Sequence, residues 1–85
     1  MCKARKILKD EFECLLKNAT QGNNTDGWEI FIAPGFGNIP TIMFKSADQF
    51  VIIEGKLENI KKINDDIKDG LTVDQVFRTY KINQL

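Results

Sequence analysis

The sequence predicts a single α+β domain over residues 1–85, in the order α-β-β-β-α-α, with a three-stranded antiparallel sheet packed by helices. Three observations carry this expectation. Apolar residues recur at helical spacing near both ends of the chain, they alternate through the middle, and the connections between the alternating runs are too short for parallel crossovers.

The first helix is predicted from Lys3 to about Ala19. Ala4, Leu8, Phe12, Leu15, Leu16 and Ala19 form one stripe, and Lys6/Asp10, Lys9/Glu13 and Glu13/Lys17 pair opposite charges at i,i+4 on the other face. The run from Gln21 to Gly27 gathers Gly, Asn, Thr and Asp, which favour turns.

Trp28 to Ala33 is then the first strand, with Trp28, Ile30 and Ile32 on one face and Phe31 on the other. The stretch Pro34-Gly-Phe-Gly-Asn-Ile-Pro40 reads as a rigid loop, and Thr41 to Ser46 resumes the alternation. Phe50 to Ile53 is apolar on both faces, as a covered central strand is. Leu57, Ile60, Ile63 and Ile67 stripe the second helix, and Gly70 sits just past its end. Thr72 and Gln75 fit a capping box, with Leu71 and Val76 as its staple, so a third helix runs from Val73 to about Lys81.

Composition narrows the function classes. Twelve basic residues balance twelve acidic ones, and none of them cluster into the Lys/Arg stripe from which nucleic-acid binders draw most of their affinity. Nucleic acid is therefore a disfavoured partner. The chain has no histidine and one serine, Ser46, so nucleophilic catalysis of the Ser-His or Cys-His kind has no base to run on, and no catalytic residue is assigned.

Cys2 and Cys14, placed on one helix, stand roughly 18 Å apart, too far to bridge or to share a metal ion. Asp65, Asp66 and Asp69 sit among lysines on a helix face, where solvated charge is the simpler reading, so no metal and no cofactor is expected. No apolar run reaches the length of a membrane span, and the start of the chain lacks a signal peptide's apolar stretch. No membrane partner and a cytoplasmic location are expected, with reduced thiols.

Gly35-Phe36-Gly37 lacks the lysine and the following helix of a phosphate loop. It reads instead as a surface loop carrying Phe36 and Ile39, tucked on the sheet or offered to a partner. Phe31, Met43, Val51 and Ile53 are expected on a sheet face other than the one holding Trp28, Ile30, Phe44 and Ile52. Helices cover that second face, or another protein does, because monomers rarely expose large apolar patches. The candidate partner-binding residues are Phe36, Ile39, Phe31, Met43, Val51 and Ile53, and a homodimer is one way to bury such a face.

These features point to a small non-enzymatic binding or regulatory protein acting through protein contact. Ten lysines against two arginines, with eleven isoleucines, suggest an AT-rich genome, and hence a phage or mobile-element accessory protein that inhibits a host or defence protein. Residues 70–83, Gly-Leu-Thr-Val-Asp-Gln-Val-Phe-Arg-Thr-Tyr-Lys-Ile-Asn, resemble the opening helix of helix-turn-helix DNA-binding domains. The resemblance implies a DNA-binding transcriptional regulator as the alternative, but an incomplete one, because the recognition helix should follow Asn83 and two residues remain.

Overall fold

In the computed structural model, which describes residues 2–25 and 27–80, the three expected strands are the centre of a larger sheet. The chain runs β1 (Lys3–Lys6), α1 (Lys9–Leu16), β2 (Thr20–Gln21), β3 (Glu29–Pro34), β4 (Pro40–Lys45), β5 (Phe50–Glu54), α2 (Leu57–Lys68) and α3 (Val73–Thr79). The sheet has five strands in the order β1-β5-β4-β3-β2, with every neighbouring pair antiparallel.

The expected three-stranded sheet is thus corrected to five, and the additions fall at its two edges. Residues 3–6 form β1 and not the start of a helix. β5 is apolar on both faces and lies between two neighbours, so its outer backbone groups need partners. Leaving a buried N–H or C=O unpaired costs about 1–3 kcal/mol, more than the few tenths per residue by which helix propensity differs among ordinary residues. β1 supplies those partners, pairing Lys3 with Glu54 and Lys6 with Val51. Ala4 and Leu8 are four apart and so counterfeit a helical stripe, but Leu8 is the extended residue before α1 and is 72% exposed. At the other edge, Thr20 and Gln21 pair with Ile32 and Phe31. Their two-residue ladder is too short to register as alternation.

Helices cover both faces of the sheet. On one face, Ile60, Ile63 and Ile67 of α2 and Val73, Val76 and Phe77 of α3 pack on Ile30, Ile42, Phe44, Val51 and Ile53. On the other, Phe12 and Leu15 of α1 pack with Ile7, Ala33, Met43 and Ile52, with Phe31, Phe36 and Phe50 around them. The division of β5 between the faces is the reverse of the one expected. Val51 lies opposite Phe44 and Ile53 opposite Ile42, so both join the face of Ile30, whereas Ile52 lies opposite Met43. Alternation within a doubly covered strand shows only that its residues alternate. Register against the neighbours shows which face is which.

The local signals around α2 and α3 appear as read. Gly70 has φ +109°, donating to the Ile67 carbonyl at 3.1 Å while the next N–H, of Leu71, donates to the Asp66 carbonyl at 2.9 Å, a Schellman ending. The Gln75 N–H donates to Thr72 Oγ1 at 3.1 Å, and the Thr72 N–H donates to Gln75 Oε1 at 2.9 Å. Lys81, placed at the end of α3 by sequence, lies outside the described residues.

Candidate functional site

The glycine loop owes its shape to two prolines and to close packing beneath it. Gly35 N–H donates to the Ile39 carbonyl at 2.9 Å, making that pair hydrogen-bonded, so the next pair, Pro34 and Pro40, is of the non-hydrogen-bonded type. Neither proline then removes a bond between its own two strands. Gly37 and Asn38 have φ of +64° and +61°, the left-handed region that glycine enters freely and asparagine tolerates. A side chain at Gly35 would run into Oγ1 of buried Thr41, which itself donates to the Ile39 carbonyl at 2.7 Å.

This geometry separates the two loop residues. Phe36 folds inward against the α1-side core, and the Arg5 guanidinium stands 5.6 Å from its ring centroid, a cation–π contact. Ile39 points outward and is 45% exposed. At the same end of the sheet, just after β5, Leu57 opens α2 and is 50% exposed, although the stripe places it with the core.

Leu57 lines a groove of about 320 Å³, and so do Asn38 and Pro40, the chain neighbours of Ile39. Ile32, Ala33, Pro34, Pro40 and Leu57 make its apolar lining, and Asn18, Thr20 and Asn38 bring neutral polar groups to it. Among the described residues no ionisable side chain lines it. The groove exists because β2 stops short: Thr20 reaches only as far as Ile32, so Ala33 and Pro34 have no neighbouring strand on that side. Pro34, lacking an N–H, presents no donor to that open edge.

The remaining candidates are part of the interior. Met43, Val51 and Ile53 are fully buried, and Phe31 is half-buried with its ring edge-on to Phe12 at 6.2 Å. α1 covers Met43 and α2 and α3 cover Val51 and Ile53, leaving Ile39 and parts of Phe31 and Phe36 as the accessible members of the set. Sequence reasoning did not bring Leu57, Pro34 and Pro40 together. Their convergence depends on strand order, although paired prolines bracketing a glycine loop do mark a hairpin end.

A second, polar groove of about 390 Å³ lies beside α3, lined by Trp28, Thr72, Val73, Asp74, Gln75 and Arg78. Trp28 is fixed edge-on against Phe44 and Phe77, with ring centroids 6.5 and 5.3 Å away. α3 itself spends Val73, Val76 and Phe77 on the core.

Cys2 and Cys14 are both free, and Cys2 precedes β1, not lying on a shared helix with Cys14. Among the described residues no group of three or more Cys, Asp or Glu is placed to hold a metal ion. Asp66 instead pairs with Lys62 at 2.9 Å, and that hydrogen bond and charge raise the Lys62 ammonium above its ordinary pKa. Burial, more than its charged neighbours, raises the Tyr80 phenol. No described helix is long and apolar enough to cross a membrane.

Compared with family models, curated proteins and solved structures, the chain matches none.

Proposed function

We propose that this chain is a small non-enzymatic binding protein that acts through contact with another protein, using the glycine-loop end of its sheet. The observation that carries the proposal is the neutral apolar groove lined by Leu57, Pro34 and Pro40, with Leu57 about half exposed on its wall and half-exposed Ile39 next to its lining residues Asn38 and Pro40. The groove takes apolar side chains from an uncharged segment of the partner, because it offers no charge to pair with an ionised one. Phe36 serves as the inner support of the loop, held by the core and Arg5.

A sequence without histidine and with one serine favours binding over hydrolytic chemistry. A homodimer is not needed to bury the second sheet face, since α1 does so. Within this proposal the chain is an inhibitor or accessory protein of the phage or mobile-element kind, working in the cytoplasm.

Affinity capture from the native extract in the presence of nuclease tests the proposal. Tagged wild type should retain a stoichiometric protein that Ile39→Asp/Leu57→Asp releases while folding normally. Retention by the double variant would remove the groove from the interface, and nuclease-sensitive capture would favour the DNA-binding alternative.

A further inference from the structure

We infer that the open edge of β1 accepts an extended acidic segment of the partner as a sixth strand of the sheet. This rests on the protein-contact proposal above and adds to it a second surface with its own chemistry.

Ile7 N–H donates to the Phe50 carbonyl at 2.9 Å. Antiparallel alternation therefore turns the backbone groups of Lys3 and Arg5 toward β5, and those of Ala4 and Lys6 outward. β1 is the last strand of the sheet on that side, and among the described residues no hydrogen bond reaches the outward groups of Ala4 or Lys6. They form the template on which strand addition works.

Three of the four β1 residues are cationic. Arg5 is partly committed, its Nε 3.2 Å from Glu54 Oε1, but among the described residues Lys3 and Lys6 make no ion pair and both are exposed. Sequence spacing places Lys6 on a mixed helical face opposite Asp10. The strand instead lines the cations along an open edge.

That charge selects the occupant. A second copy pairing through β1 about a two-fold axis with Ala4 opposite Ala4 would set Lys3 against Arg5 on both sides and bring Lys6 close to them, so self-association along this edge is penalised. An acidic strand meets opposite charge at the same positions. One set of side chains thus repels the commonest wrong partner and attracts the right one.

The probe is an eight-residue peptide of alternating Glu and Val, acetylated, amidated and fluorescein-labelled, with its Lys/Val counterpart as control. Anisotropy should show binding of the Glu/Val peptide alone, weakening with added salt. The Ala4 and Lys6 amide protons should gain protection from exchange in the complex. Two variants separate backbone from charge. Ala4→Pro removes one outward N–H and no bond to β5, and Lys3→Glu/Lys6→Glu reverses exposed charge; each should weaken binding at least tenfold.

No binding by wild type at millimolar peptide, equal binding of both peptides, or unchanged affinity in Lys3→Glu/Lys6→Glu would overturn the inference. A captured native partner held equally well by wild type and both variants would overturn it too, while leaving the protein-contact proposal standing. A chain that takes neither the peptide nor any protein overturns both.

Discussion

Replacing Phe12 by alanine removes the side chain that fixes α1 to the sheet. Phe12 is 1% exposed, and its ring meets Phe31 edge-on at 6.2 Å and Phe50 at 5.2 Å with the planes tilted by 54°. Truncating a buried phenylalanine costs about 3–5 kcal/mol, combining lost transfer energy with the cavity left behind. The two aromatic pairs place Phe12→Ala in the upper part of that range.

A domain of this length has about 4–13 kcal/mol of stability in all, so this one substitution removes a third of it or more. In urea the unfolding midpoint should fall without a large change in slope, and the melting temperature should drop by roughly 16–40 °C. Phe12→Leu keeps most of the volume and should lose about 1–1.5 kcal/mol, which guards against a variant too unstable to measure. A loss below about 1 kcal/mol for Phe12→Ala, the level of a surface substitution, would refute the packing of α1 on the sheet. The second sheet face would then be open after all.

Three further outcomes follow from local geometry. Leu8, the exposed residue before α1, offers no side-chain acceptor to the first turn, although the Glu11 carboxylate accepts from its N–H at 3.0 Å. Leu8→Ser completes that capping box and should raise stability by about 0.5–1 kcal/mol in chemical denaturation. Gly35→Ala drives a methyl group into Thr41 and should cost about 1–3 kcal/mol, while disturbing the loop that presents Ile39 and so weakening partner capture beyond the loss of stability.

For pH, both resolved shifts are upward, from ordinary values of 10.5 for Lys62 and 10.0 for Tyr80. In the folded chain each group holds its proton more tightly than in the unfolded one. The stability tied to them is therefore fully present below about pH 10, and is lost as the pH rises above it. Tyr80→Phe should flatten the alkaline part of a stability profile and leave neutral pH little changed. An unaltered alkaline slope would show that burial of the phenol is not its cause.

Much of the fold was legible in the sequence because it is written in local chemistry. The alternation from Trp28 to Ala33 and Thr41 to Ser46, the stripe of Ile60, Ile63 and Ile67, the Gly70 ending and the Thr72/Gln75 cap each depend on residues within one or two turns of one another, although Pro34 and Pro40, read as loop, close the strands on either side. What was not legible depends on distant partners. Lys3 to Lys6 becomes a strand because β5, some forty-five residues later, needs a neighbour on that side, and nothing within the first nineteen residues records that need. The assignment of Val51 and Ile53 to a face likewise follows from their register against Phe44 and Ile42.

The same limit shaped the candidate site. Phe36 and Ile39 were recognisable as loop residues, but only the close approach of Gly35 to Thr41 decides which turns inward. Leu57 stood in a helical stripe, yet it is half exposed and lines the groove beside Pro34 and Pro40. The edge cations of β1 were hidden by the helical reading of the same residues.

Amide hydrogen exchange on the chain, free and bound to the protein it captures, tests the protein-contact function most directly, since it reads the interface without substitution. Protection gained at residues 32–40 and around Leu57 is the expected result. Protection confined to α3 and the Trp28 groove, with residues 32–40 and 57 unchanged, would contradict it.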